Sequence, residues 1–134
     1  MAYGFDDDKS KKEFVKNWVD IPIKTSSYIM SGGILRYYKD VYGTVTIALN
    51  IDFNSPTLAG HSIILADTPV EIKPQGQSGE HSGLAFSRDL GVFATSKDKR
   101  ASIEVNNSQI TINAFDTLER GDWIVCEASY NPTY

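Results

Sequence analysis

The sequence is poor in the residues that build metal and disulfide sites. Cys126 is its only cysteine, and His61 and His81 are its only histidines. A single cysteine excludes an intrachain disulfide and a Cys-rich zinc site, and two histidines of unrelated spacing do not make a His-based metal site. Cys126 lies in an apolar run, which favours a buried, inert thiol over a reactive one. We therefore expect an apolar core to hold the fold, with no tightly bound metal.

Basic charge and long apolar runs are also scarce. Thirteen Lys and Arg face seventeen Asp and Glu in 134 residues, a net charge of -4. This balance disfavours nucleic acid and anionic membranes as partners, because both are recognised by basic surfaces. No run approaches the roughly 20 apolar residues of a membrane-spanning helix. Asp6, Asp7 and Asp8 stand where a signal peptide would be basic and then apolar. We expect a soluble, mildly acidic, single-domain protein.

Recognisable catalytic motifs are missing as well. Residues 79–83 place His81 at the centre of two glycines, where a nucleophile elbow requires serine. The Asp6–Asp8 cluster lacks the glycine and the distal glutamate of a calcium loop, and there is no Gly-rich phosphate loop. The sequence therefore predicts no catalytic residue and favours a protein that is not an enzyme.

The first 27 residues show helical spacing. Ser10 and Glu13 match a capping box, and the helix should end before Pro22, because a residue that precedes proline is disfavoured in the α region. The apolar residues between these points share one helical face: Phe14, Val15, Trp18 and Val19. A helix of about ten residues is marginal alone. This apolar stripe is expected to cover either its own sandwich or the same helix of a neighbouring subunit.

From residue 28 the apolar period changes to two. Val45, Ile47, Leu49 and Ile51 alternate with more polar residues, as expected for a strand with one buried face. The other strand-like segments are 34–39, 61–65, 84–87, 91–95, 101–105, 109–115 and 123–130, and the separators are 88–89, 97–100, 106–108 and 119–122. Residues 74–83 are expected to form a surface loop. The pattern predicts an all-β fold, a mainly antiparallel, jelly-roll-like β-sandwich over residues 28–134, preceded by the helix and linker of residues 1–27.

Aromatic residues supply the remaining chemical signal. The chain has seven tyrosines and two tryptophans. Exposed aromatic rings stack on sugars and anchor protein partners, which makes Tyr37, Tyr38 and Trp123 candidate glycan contacts. For any one of these residues, packing in a core or an interface is the favoured alternative.

The order of the strand motifs resembles a known family. The motifs are ILRYYK at 34–39, GTVTIALNI at 43–51, a segment bracketed by Pro69 and Pro74, and WIVCEASY at 123–130. Together they resemble the β-sandwich shoulder and head domains of tail fibres and receptor-binding proteins, of the type found in siphophages that infect Gram-positive bacteria. Two departures are that Asp67-Thr68-Pro69 replaces the family's Leu-Pro and that the chain is shorter than a complete fibre.

The resemblance implies a structural component of a phage tail or baseplate, with a role in adsorption to the host surface. Its location would be the virion, after production in the host cytoplasm. The implied partners are other tail or baseplate proteins and a saccharide of the bacterial cell wall. The resemblance also implies a homo-oligomer, with a trimer favoured, and no cofactor. The alternative is a small carbohydrate-binding module, which would bind sugar as a monomer through an exposed aromatic platform.

Overall fold

The polypeptide forms two antiparallel sheets of four strands each. The computed structural model describes residues 17–24, 28–57, 59–75 and 87–133, except for the side chains of residues 92–94 and Lys97. The strands, in chain order, are β1 (Val19–Asp20), β2 (Ile34–Lys39), β3 (Val45–Asp52), β4 (Ser62–Asp67), β5 (Ser87–Ala94), β6 (Arg100–Asn106), β7 (Gln109–Ala114) and β8 (Trp123–Tyr130). Sheet I has the order β1-β2-β3-β8, and sheet II has the order β4-β7-β6-β5. The predicted all-β fold is confirmed in these residues.

The core lies between the two sheets and follows from the alternation of the strands. The inward residues of both sheets form one buried apolar cluster. Sheet I contributes Leu35, Tyr37, Val45, Ile47, Leu49, Ile51, Ile124 and Tyr130, and sheet II contributes Ile63, Leu65, Ala101, Ile103, Val105, Ile110, Ile112 and Ala114. Phe53, Ile72 and Leu118 from the connections are also fully buried. Two sheets that share one apolar interior make a β-sandwich.

The predicted N-terminal helix does not extend to its expected end. Val19 and Asp20 pair with Tyr37 and Arg36 as a strand, whereas residues 10–16, with Phe14 and Val15, lie outside the described residues. A β-branched valine favours extended backbone. The ladder to β2 also supplies hydrogen bonds that an isolated last helical turn would lack. The prediction of helix at Trp18 and Val19 is therefore wrong.

Residues 21–24 join the two sheets at one side of the sandwich. The Ile21 N–H donates to the Leu35 carbonyl of sheet I, and the Lys24 N–H donates to the Leu65 carbonyl of sheet II, both at 2.8 Å. The Lys24 ammonium also lies 2.9 Å from the Asp67 carboxylate. The sandwich thus includes residues well before position 28, where the sequence pattern places its start.

No helix in the described residues is long and apolar enough to cross a membrane.

Short polar side chains shape the two tightest hairpin turns. In the β2–β3 turn, the Asp40 carboxylate accepts from the N–H groups of Tyr42 and Thr44, and Gly43 adopts a φ of 87° that disfavours other residues. In the β6–β7 turn, the Asn106 side-chain oxygen accepts from the N–H groups of Ser108 and Gln109. The second turn confirms that residues 106–108 form a hairpin connection.

Residues 88 and 89 were expected to separate two strands, but they lie inside one. β5 pairs with β6 on both sides of a register shift between Asp89 and Val92. The Asp89 carboxylate accepts from the Gly91 N–H at 3.0 Å, and Gly91 has a φ of 117°. These turn-forming residues therefore build a β-bulge, which bends the strand without ending it.

Candidate functional site

The outer faces of the two sheets differ sharply in chemistry. Sheet II presents mainly polar side chains, and these bond to one another: the Ser62 hydroxyl donates to Asn113, whose amide donates to the Ser102 hydroxyl. Sheet I presents large apolar residues to solvent, with exposed fractions of 46% for Ile34, 45% for Trp123 and 55% for Val125. Among the described residues, the outer face of sheet II exposes one large apolar residue, Ile64, and buries Ser102 and Thr111. The outer face of sheet I exposes three large apolar residues, so it is the candidate functional surface.

A cluster of Trp18, Arg36 and Tyr38 lies on the outer face of sheet I. Tyr38 points outward because its neighbour Tyr37 is buried on the inner side. The rings of Trp18 and Tyr38 meet edge to face, with centroids 4.7 Å apart and an interplanar angle of 86°. The Arg36 guanidinium carbon lies 4.4 Å from the centroid of the Trp18 ring, which is within cation–π range. The three side chains therefore hold one another in place.

Beside this cluster the outer face forms a shallow depression centred on Ala48. In the ladder, Ala48 stands opposite Arg36 of β2 on one side and opposite Glu127 of β8 on the other. A methyl group between two long side chains leaves a hollow, with a volume of about 370 Å³. We call it the Ala48 depression; the side chains around Ala48 are Trp18, Ile34, Arg36, Asn50, Val125 and Glu127.

Within the described residues, the polar side chains around the Ala48 depression form no hydrogen bonds with the rest of the protein. The Arg36 side chain forms no ion pair or hydrogen bond with any described residue, although Asp20 stands opposite it in the ladder. Its Nε is buried without an acceptor. Asn50 and Glu127 likewise make no side-chain hydrogen bond within the described part of the chain. In the described structure, the side chains of Arg36, Asn50 and Glu127 are therefore available to form hydrogen bonds with a ligand that lies on Ala48.

The three candidate glycan-contacting aromatics divide between core and surface. Tyr37 is only 3% exposed, because strand alternation turns it toward sheet II, so this candidate is corrected to a core residue. Tyr38 and Trp123 do lie on the outer face of sheet I. Tyr38 belongs to the cluster, and Trp123 lies beyond Val125, two residues or about 7 Å along β8.

Of the side chains around Ala48, only Trp18 was singled out by the sequence pattern. Their outward positions could be read from the alternation in each strand. Their proximity could not, because the β3–β8 ladder brings together Ala48 and Glu127, which are far apart in the chain.

The apolar stripe proposed for subunit contact does not persist as a single face. Trp18 packs on Tyr38 and Arg36 of the outer face, whereas Val19 stands opposite the core residue Tyr37. Phe14 and Val15 lie outside the described residues. Of the two described members of this stripe, Trp18 reaches the candidate surface.

The remaining candidate reactive groups are Cys126, His61 and His81. Burial raises the pKa of the Cys126 thiol to about 11, so the thiol stays protonated near neutral pH, as an inert cysteine would. His61 is exposed at the mouth of another small cleft, beside Tyr28 and Thr57, and His81 lies outside the described residues. In the described ranges, no three His, Cys, Asp or Glu side chains converge as metal ligands would.

One buried charge network lies at the end of the sandwich next to Trp123. The Asp122 carboxylate is only 1% exposed and accepts from Lys99 Nζ at 2.6 Å, the Glu119 N–H at 2.8 Å and the Ser96 hydroxyl at 3.1 Å. Burial raises the pKa of Asp122, but these hydrogen bonds and the Lys99 charge outweigh burial and hold that pKa below its ordinary value. The same Lys99–Asp122 bond raises the pKa of Lys99. The network joins the β5–β6 and β7–β8 connections, and its role is structural.

Comparison with protein-family models finds no match, and comparison with curated protein sequences finds none either.

Proposed function

We propose that this protein is a structural component of a phage tail or baseplate that contributes to adsorption on the host surface. The observation that carries the proposal lies on the outer face of sheet I, where the described residues include the Trp18–Arg36–Tyr38 cluster and the exposed Ile34, Trp123 and Val125. Apolar and aromatic groups left in solvent on one face of a sandwich are suited to contact with a partner. The order of the strand motifs, which resembles phage shoulder and head domains, supplies the biological setting.

The partners in this proposal are other tail or baseplate proteins, copies of the same chain in a trimer, and a cell-wall saccharide. Aromatic and arginine side chains are enriched among the residues that dominate protein interfaces. Aromatic rings also stack on the faces of sugars. Sheet I offers both kinds of contact from one rigid surface, whereas the polar outer side chains of sheet II already bond to one another.

Immunogold labelling tests the location of the protein. Antibodies raised against the purified chain are applied to phage particles induced from a bacterial strain that carries the gene. We expect gold at the tail tip or baseplate, and an isogenic strain with the gene deleted supplies the control. Intact particles that carry no label on the tail, from a strain that produces the protein, would refute a tail component.

A small carbohydrate-binding module is the second candidate, and the outward placement of Tyr38 and Trp123 favours it. The two candidates differ in assembly, because the module would be a monomer and the tail protein an oligomer. Multi-angle light scattering of the full chain separates them. A mass near three times 14.9 kDa supports the trimeric tail protein, and a stable monomer at tens of micromolar supports the module.

A further inference from the structure

We propose that the Ala48 depression binds a neutral hexopyranoside, one ring of a surface polysaccharide. The ring would lie on Ala48, with its hydroxyl groups on Arg36, Asn50 and Glu127. This inference rests on the adsorption role proposed above, and it names the ligand class and the residues that recognise it.

The size and floor of the depression suit a sugar ring. Its volume of about 370 Å³ lies at the small end of the range of ligand pockets, roughly 300–1,000 Å³. The floor is the Ala48 methyl group, flanked by the half-exposed aliphatic side chains of Ile34 and Val125. A pyranose presents C–H groups on its ring faces and hydroxyl groups at its edge. An apolar floor with a polar rim matches that distribution.

The rim supplies donors and acceptors on opposite sides of the floor. Arg36 and Glu127 flank Ala48 in register, which places their Cα atoms about 10 Å apart. Arg36 only donates hydrogen bonds, the Glu127 carboxylate only accepts them, and the Asn50 amide does both. A hydroxyl group donates and accepts, so a polyol can satisfy all three residues. An anionic ligand would meet the Glu127 carboxylate, and a cationic ligand would meet the Arg36 guanidinium, so a neutral ligand is favoured.

The cluster prepares Arg36 for binding. Its guanidinium already rests on the Trp18 ring, which is held in turn by Tyr38. Side chains that are ordered before binding lose less conformational entropy when the ligand arrives. The Arg36 side chain is therefore held in position for a ligand, and its N–H groups donate no hydrogen bond to the described part of the chain.

Titration by nuclear magnetic resonance tests the site directly. The full chain is labelled with ¹⁵N, and methyl glycosides of glucose, galactose, mannose, rhamnose and N-acetylglucosamine are added one at a time. The indole N–H signals of Trp18 and Trp123 report on the surface. We expect at least one glycoside to shift the Trp18 signal in a saturable way, with a Kd on the order of 1 mM, because a single sugar ring offers few contacts.

Matched variants locate the binding. Ala48→Leu fills the depression and should weaken binding at least about tenfold. Glu127→Gln keeps the shape of the rim but removes its charge, and it should weaken binding about threefold to tenfold. Glu104→Gln is the control, because Glu104 also lies on a central strand but belongs to sheet II; its Kd should match the wild type. Glu127→Gln keeps the test decisive if Ala48→Leu does not fold.

Three results would overturn the proposal. The first is that no glycoside shifts the Trp18 signal. The second is equal binding by the wild type, Ala48→Leu and Glu127→Gln. The third is that the wild type self-associates but binds no glycoside, and that Ala48→Leu abolishes the self-association. That result would make the depression an interface between copies of the chain. All three are measured on purified protein. A failure here is therefore distinguishable from a failure to find the protein on the phage tail.

Discussion

Replacement of Asp122 gives the sharpest test of how the sandwich is held together. In Asp122→Asn, the amide oxygen can still accept from Lys99 and from the Glu119 N–H, so the shape of the network is kept and its charge is lost. Charge-assisted hydrogen bonds exceed neutral ones by about 1 kcal/mol. We expect the free energy of unfolding to fall by about 1–2 kcal/mol. Asp122→Ala also removes the carboxylate that accepts from all three donors, Lys99, the Glu119 N–H and the Ser96 hydroxyl, and we expect a loss of about 2–4 kcal/mol.

The assay is urea unfolding followed by tryptophan fluorescence, with Asp116→Asn as the control. Asp116 also accepts from a backbone N–H and from an arginine, but its side chain is 40% exposed. Its replacement should cost less than about 1 kcal/mol. An Asp122→Ala variant as stable as the control would refute the assignment of Asp122 as a structural anchor.

The pH dependence of the stability difference between the wild type and Asp122→Asn supplies a second check. The pKa of Asp122 is lowered in the folded state, so its stabilising contribution is fully present above the ordinary carboxyl value of about 3.9. It is lost as the pH falls through the lower, folded-state pKa. The stability gap between the wild type and Asp122→Asn should therefore be constant from about pH 5 to pH 8 and shrink below about pH 4. A gap of the same size at pH 2.5 would contradict the charge assignment.

Three further predictions concern separate residues. Trp18→Ala removes one edge-to-face contact and one cation–π contact, so it should lower the stability by about 1–2 kcal/mol in urea unfolding, well below the loss expected of a core tryptophan. Tyr130→Phe removes the 2.7 Å hydrogen bond from the phenol to the buried Ile72 carbonyl, and it should cost about 1–3 kcal/mol in the same assay. Cys126, whose pKa is raised to about 11, should react with Ellman's reagent at pH 8 far more slowly in the folded chain than in urea; equal rates would show that the thiol is accessible.

The sequence predicted the strands well because period-two alternation is a local signal. β2 and β8 run over the same residues as expected, and the turn at 106–108 forms as predicted. Two local sequence patterns led to wrong predictions. Arg88 and Asp89 are typical of turns, but here they belong to a strand that contains a bulge. The helical spacing around Trp18 was overridden by pairing of the next two residues with β2.

The candidate site was less predictable, because it depends on which strands are neighbours. Arg36, Ala48 and Glu127 share one row of sheet I only because β3 pairs with both β2 and β8. Sequence order makes β2 and β3 probable partners as a hairpin, but it does not place β8 beside β3. Which side chains are exposed could likewise be known only from the tertiary structure. Tyr37 and Tyr38 are identical in type and adjacent in sequence, yet only Tyr37 is buried in the core.

Competition for adsorption tests whether the outer face of sheet I binds the host surface. Purified protein is added in excess to host bacteria before the phage proposed to carry the gene, and unadsorbed phage is counted. We predict that the wild-type chain and Glu104→Gln reduce adsorption, whereas Ala48→Leu and Glu127→Gln reduce it much less. Equal competition by all four chains would contradict a role for the outer face of sheet I, and no competition by the wild type would contradict a role in adsorption.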